Sequence, residues 1–269
     1  MVYLDNNKEI RPQAIFFDID GTLVSFKTHS IPASTKTAIR QLKERGTKVI
    51  ISTGRAFCDI NNLEDLEFDG YITANGTVCL DSGGKIISQQ LIPKESLDKL
   101  VLYLAEKPFP CVFMSHHGVF INLVNEQVQT LYQLIDTQAP PVRDVLEMIE
   151  HDVFQISAFA DLELETELLN HVLTHCDSSR WHPAFTDFHA KDFSKATGMD
   201  RFMEYFDMEG KCTMAFGDGG NDIPMLKHAT IGVAMGNAAD HVQAVADYVT
   251  SSIDEDGIMN ALKYFKILS

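Results

Sequence analysis

Short apolar runs that stop abruptly at polar or glycine clusters constrain this chain more than any other feature. Ala14 to Phe17 runs straight into Asp18-Ile19-Asp20-Gly21-Thr22, and Lys48 to Ser52 into Thr53-Gly54-Arg55. Tyr71-Ile72-Thr73 leads to Asn75-Gly76, and Cys212 to Phe216 to Gly217-Asp218-Gly219-Gly220-Asn221-Asp222. Ile231 to Ala234 ends in Met235-Gly236-Asn237. An unbroken apolar run bounded by turn residues reads as a strand buried on both faces. Helical patterns stand between the runs, at Ser34 to Glu44, Ser194 to Phe206, Ile223 to His228, Asp240 to Ala246 and Ile258 to Phe265. Strands alternating with helices imply βαβ units, hence an α/β fold with a doubly wound parallel sheet.

The texture changes from about Ser82 to about Ala184. Strands are expected at Ile86 to Leu91, Cys111 to Phe113, Val119 to Leu123 and Val153 to Phe159. Helices are expected at Lys94 to Glu106, Glu126 to Ile135 and Leu162 to Thr174. The block reads as an inserted α+β domain, 83–184, within a core of 1–82 plus 185–269. Its hinges fall near Ser82 to Gly84 and near Pro183 to Thr186.

Partners are bounded by charge. Lys plus Arg number 22 and Asp plus Glu 38, giving a formal net charge of −16. Phosphate-backbone binding relies on clustered basic residues, so no nucleic-acid partner is expected. An anionic membrane surface is disfavoured for the same reason. A small anionic substrate is not, because a cleft sets its own local field. Five widely spaced cysteines form neither a disulfide framework nor a zinc site, and read as buried reduced thiols. With no apolar signal core at the start and no apolar run of about 18 residues, the expected location is cytoplasmic. Oligomeric state is left open.

In an open parallel sheet, ligands bind beyond the carboxyl ends of the strands. Asp18/Asp20, Thr53/Gly54, Asn75 and Asp218/Asn221/Asp222 are therefore candidates to converge, with Lys195 at a helix start. A polar turn residue capping a helix explains any one of them as well. It explains Asp18 least, because a carboxylate after four apolar residues is buried and needs a partner. Several acidic groups together call for a cation, and oxygen ligands without His or Cys favour Mg²⁺. This chemistry suits phosphoryl transfer. Asp18 can attack phosphorus, Asp20 can protonate the leaving oxygen and then deprotonate water, and Lys195 can neutralise charge.

Asp18-Ile19-Asp20-Gly21-Thr22-Leu23 resembles the D-x-D-G-T-L signature of the haloacid dehalogenase superfamily of phosphatases. Thr53-Gly54-Arg55, Asn75-Gly76-Thr77, Lys195 and Gly217 to Asp222 follow in the family's order. Gly232 to Ala238 and Asp254-Glu255-Asp256-Gly257-Ile258 resemble the tail of its Cof-type branch, in particular the bacterial sugar-phosphate phosphatases. The resemblance implies a Rossmann-like core with a mobile α/β cap that closes over the substrate. It implies Asp18 as nucleophile and Mg²⁺ ligand, and Asp20 as general acid/base, binding the metal through its backbone carbonyl. Asp218 becomes the third protein ligand, with Asp222 outside it or bound through water. The Ile19 backbone, Thr53, Gly54 and Asn221 become the phosphoryl contacts, and Lys195 neutralises that group and holds Asp18.

Two departures from the branch stand out. Ala196 follows Lys195 where glycine is more usual, and Lys191 lies close enough to be mistaken for it; the helix start selects Lys195. Ser52 stands where alanine is common. Arg55 is divided between substrate contact and pairing with a core carboxylate. His116-His117 reads as an exposed hairpin, and Trp181 and His182 as packing residues near the return from the insert. The expected activity is Mg²⁺-dependent hydrolysis of small phosphorylated metabolites, most readily sugar phosphates, through an aspartyl-phosphate. The alternatives are a phosphomutase, which shares the nucleophile, and a non-catalytic sugar-phosphate sensor, which the intact set Asp18, Asp20, Lys195 and Asp218 disfavours.

Overall fold

A computed structural model describes residues 11–134 and 137–269. The expected helix end at Ile135 and the side chains of Trp181 and His182 lie outside that description. The chain divides into two compact units. One comprises the residues up to Arg55, Asp59–Ser88 and Ser194–Ser269, and the other Ala56–Cys58 and Gln89–Phe193.

The first unit is built on an eight-stranded sheet. In chain order its strands are β1 (Ala14–Phe17), β2 (Lys48–Ser52), β3 (Gly70–Thr73), β4 (Val78–Asp81) and β5 (Ile86–Gln89). After the insert, which holds β6 to β10, come β11 (Thr213–Gly217), β12 (Ile231–Ala234) and β13 (Tyr248–Val249). The spatial order is β13-β12-β11-β1-β2-β3-β4-β5, parallel from β13 to β3, with β4 running antiparallel to β3. Alternate residues of β1 serve opposite faces, as strand geometry requires. Ile15 and Phe17 pack with Ala38, Ile39 and Leu42 of α1 (Ala33–Glu44). Ala14 and Phe16 pack with residues of two helices that follow the insert, Met199 and Phe202 in Lys195–Tyr205 and Met225 and Leu226 in Ile223–His228. Helices on both faces make the sheet doubly wound, which is why its central strands are apolar throughout.

The second unit carries a five-stranded antiparallel sheet. Its strands are β6 (Cys111–Ser115), β7 (Gly118–Ile121), β8 (Val153–Ala158), β9 (Cys176–His182) and β10 (Phe185–Ala190), in the order β7-β6-β8-β10-β9. Its helices are α2 (Lys94–Glu106), α3 (Glu126–Leu134), α4 (Val145–Met148) and α5 (Leu162–His171). The helices after the insert are then α6 (Lys195–Tyr205), α7 (Ile223–His228), α8 (Asp240–Gln243) and α9 (Gly257–Tyr264). The Asp161 carboxylate caps α5 by accepting from the Leu164 N–H.

The boundaries of the two units differ from the sequence expectation. Ser82 to Gly84 is the turn of the β4–β5 hairpin, where the Asp81 carboxylate accepts from the N–H groups of Gly83 and Lys85. Pro183 and Ala184 form the turn of the β9–β10 hairpin, inside the insert. The divisions fall at 88/89 and 193/194 instead of 82/83 and 184/185. The β9–β10 hairpin escapes the sequence pattern because its strands carry Asp, Ser, Thr and His where apolar residues mark a strand. Of the cysteines, Cys79, Cys111 and Cys176 are buried, Cys212 is half-buried and Cys58 is exposed, unlike the expected buried set. Among the described residues, no helix is long and apolar enough to cross a membrane.

Candidate active site

β1 delivers Asp18 one residue past its end, with the Asp18 N–H still bonded to the Phe216 carbonyl of β11. The chain then turns sharply, as Leu23 and Val24 N–H groups return to the Ile19 carbonyl. Gly21 sits in this turn at φ +84°, and a Cβ there would fall 2.2 Å from an oxygen of Asp218. Glycine is required both by the backbone and by the carboxylate beside it.

Lys195 enters from the first turn of α6. The Thr197 hydroxyl secures that turn by accepting from the Ser194 N–H and donating to the Ser194 carbonyl. Gly76 (φ +98°) lets the loop after β3 pass against it, since a Cβ would lie 1.9 Å from the Ser194 oxygen. Lys195 Nζ donates to Asp18 Oδ1 and to Asp222 Oδ1, each at 2.6 Å, and the lysine is fully buried. Lys191 lies in the other unit, with an exposed side chain.

Asp222 uses both oxygens. Oδ1 takes the lysine, while Oδ2 accepts from the N–H groups of Asp218 (2.9 Å) and Gly219 (2.8 Å). It thereby shapes the loop that presents Asp218. The Asp218 carboxylate accepts from the Thr22 hydroxyl at 2.8 Å and from Asn237 Nδ2 at 3.3 Å. Asn237 Nδ2 also reaches the Gly21 carbonyl (2.9 Å), and its Oδ1 accepts from the Ile253 N–H (3.0 Å). One side chain thus ties the first loop, Asp218 and the 250s tail together. That tail is fixed again by the Ser25 hydroxyl donating to Asp254 at 2.6 Å.

Oxygens of Asp18, Asp218 and Asp222 lie within 4.8 Å of one another. Three carboxylates face one ammonium, and the imbalance shows in their proton affinities. Burial, then Asp222, pushes the Asp18 carboxyl well above its usual range, against the pull of Lys195. Burial and Asp222 push Asp218 up to about 7. Burial works against the Lys195 ammonium, but Asp18 and Asp222 outweigh it and hold its proton more tightly than in water. A cation set among these oxygens relieves the repulsion. An oxygen-only donor set without His or Cys fits a hard divalent ion.

The remaining site residues divide. Thr53 and Gly54 follow β2, with the Thr53 Oγ1 accepting from the Arg55 N–H. Asn221 Nδ2 donates to Asn75 Oδ1 at 3.0 Å, and both side chains border the space above Gly54. Asp20 stands apart from the carboxylate cluster. Its two oxygens accept from Arg55 Nε (2.8 Å) and Nη2 (2.6 Å), a bidentate pair, so of the two roles open to Arg55 the structure displays carboxylate pairing. Asn75 is one of the expected candidates, whereas Thr22 and Asn237 are not. Thr22 and Asn237 lie inside motifs already singled out, and only their spatial partners reveal what they do.

The model of the haloacid dehalogenase-like hydrolase family matches residues 15–262. The chain belongs to that family. The putative phosphatase YkrA of Bacillus subtilis is 32% identical over 256 residues, spanning 94% of this chain and 98% of the relative. Among solved structures, the subclass IIB sugar phosphatase BT4131 of this superfamily is 43% identical with a TM-score of 0.89, over 95% of this chain and 100% of the other. The phosphatase BT1666 from Bacteroides thetaiotaomicron is 36% identical with a TM-score of 0.90, over 98% of each chain. The protein is a haloacid dehalogenase-type phosphatase of the Cof-type branch, with the α/β core that the strand pattern implied.

Proposed function

We propose that the chain hydrolyses small sugar phosphates in a Mg²⁺-dependent reaction, through an aspartyl-phosphate on Asp18. The observation that carries the reading is the buried Lys195–Asp18 contact within a cluster of three carboxylates. Lys195 aims one Asp18 oxygen and leaves the other for in-line attack on phosphorus. The Ile19 backbone, Thr53, Gly54 and Asn221 hold the phosphoryl oxygens, while Lys195 offsets their charge. The carboxylates of Asp18 and Asp218, with the Asp20 main-chain carbonyl, would hold the Mg²⁺, which supplies charge neutralisation at the phosphoryl group. Asp222, with both oxygens engaged by protein groups, keeps Asp218 and Lys195 in place.

Asp20 protonates the leaving oxygen and then takes a proton from the attacking water. Its carboxylate must leave Arg55 to do so. The inserted unit serves as the cap that selects the leaving group. The test is phosphate release from a panel of phosphorylated metabolites, with Mg²⁺ and with EDTA. Metal-dependent release favouring sugars over nucleotides is expected. Release that ignores EDTA, or a preference for nucleotides, would overturn the reading.

A further inference from the structure

The turn that follows β3 bends the backbone in an unusual way. Ala74, Asn75 and Gly76 hold φ of +47°, +53° and +98°, three left-handed residues in succession. Glycine is at ease there, asparagine tolerates it and alanine resists it. Such a run persists only where its surroundings over-determine it. Here the surroundings are the loops of the carboxylate and lysine site. The Ala74 N–H donates to the Arg55 carbonyl (2.9 Å) and the Asn75 N–H to the Thr53 carbonyl (3.1 Å), so the turn is fastened on both sides of Gly54. Thr77 closes it from behind, its N–H and its hydroxyl both donating to the Ala74 carbonyl. Gly76 passes against the Ser194 carbonyl, at the start of the helix that carries Lys195.

The side chain this turn presents is that of Asn75, which is buried, as is Asn221. Asn221 stands in the single turn Gly220–Asp222, next to the Asp222 carboxylate that accepts from Lys195. Asn221 Nδ2 donates to Asn75 Oδ1 at 3.0 Å. Both amides border the place where Gly54 lacks a side chain. A Cβ there would lie 3.2 Å from Asn75 Nδ2 and Oδ1 and 3.5 Å from Asn221 Nδ2. An amide has two unlike ends, an oxygen that only accepts and an NH₂ that donates twice. Turning the Asn221 amide by half a rotation would set its oxygen against Asn75 Oδ1, acceptor on acceptor. Asn75 therefore fixes which end of Asn221 is which. It uses one N–H of Asn221, and the second stays available to an acceptor.

We infer that Asn75 is a positioning residue for phosphoryl binding, its amide oxygen locking Asn221 so that Asn221 turns a donor and not an acceptor to the phosphoryl oxygens. The inference rests on the phosphatase reading above, which sets Asn221 at the phosphoryl group, and adds the residue that orients it. Asn75 acts through Asn221 and touches no reacting atom. The left-handed backbone explains the residue type, since asparagine joins tolerance of that conformation to an acceptor oxygen.

The test is a double-mutant cycle on the full chain, read as kcat/KM for p-nitrophenyl phosphate. Asn221→Ala is expected to lower it about 10- to 100-fold, the range of a hydrogen bond to a charged group. Asn75→Gly suits the left-handed backbone but removes the acceptor, and is expected to give most of the same loss. In that background Asn221→Ala should cost no more than about threefold further. Asn75→Asp keeps both the backbone tolerance and an acceptor oxygen. Its added charge lowers the starting rate, yet Asn221→Ala should again cost about 10- to 100-fold. A turn with a merely structural role would make the losses multiply in every background. Equal cost of Asn221→Ala in wild type and in Asn75→Gly, or unaltered activity of Asn75→Gly, would overturn the inference. Should Asn75→Gly fail to fold, a folded Asn75→Asp that no longer depends on Asn221 overturns it as well. Wild-type protein that releases phosphate from no ester would instead overturn the phosphatase reading itself.

Discussion

The core and the insert hold their polar side chains in opposite places. In the core, Asp18, Thr53, Asn75 and Asp218 stand just past the ends of β1, β2, β3 and β11, on loops that leave the strand ladders intact. In the insert, Gln155, Ser157, Asp187 and His189 stand within strands whose pairing fixes them. The arrangement at strand ends brings Asp18, Asp218, Asp222 and Lys195 together, as the proposed phosphoryl transfer needs. The arrangement within strands spreads groups at the fixed intervals of the strand pairing. The two units thus place their polar groups through different parts of strand geometry.

Removing the proposed nucleophile should have the largest effect on that contrast. Asp18→Asn is expected to lower kcat by about 10⁴-fold or more on every ester, sugar or not, measured as phosphate release. Lys195→Ala leaves Asp18 and Asp222 buried without their cation. It should cost about 3–5 kcal/mol in urea unfolding of the metal-free protein, as well as activity. Asn237→Ala loosens Asp218 without touching the reaction, and should weaken Mg²⁺ binding by about 10- to 100-fold in calorimetric titration.

Acid should act on the core site in one direction. Below about pH 7 the Asp218 carboxyl holds a proton that the metal must displace, and the upward push on Asp18 acts in the same direction. Mg²⁺ affinity should therefore fall by roughly tenfold or more per pH unit below about 7. A flat profile from pH 6 to 8 would break that part of the account.

Much of the core site is legible in the sequence, because its polar residues interrupt the pattern that identifies strands. Four apolar runs announced β1, β2, β3 and β11, and each announced its own loop. The insert hid its counterpart for the same reason in reverse. Asp177, Ser178 and Ser179 in β9, and Thr186, Asp187 and His189 in β10, erase the apolar signal, so the boundary expected from sequence passes through their hairpin. β4 went unseen because four residues behind a left-handed turn at Ala74 to Gly76 carry little periodicity. Pairings across long stretches of sequence were invisible too. Nothing in Arg55 or Asp20 alone shows that they meet, and Asn237 lies 216 residues from the Gly21 carbonyl it holds.

The most direct test of a covalent route through Asp18 uses Asp20→Asn, which keeps the nucleophile but loses the base for the second step. The variant is mixed with Mg²⁺ and p-nitrophenyl phosphate, whose leaving group needs no proton, then quenched in acid and analysed by peptide mass spectrometry. The account expects phosphate to accumulate on the peptide that carries Asp18. Sustained turnover with no phosphorylated Asp18 peptide, or phosphate on another residue, would contradict it.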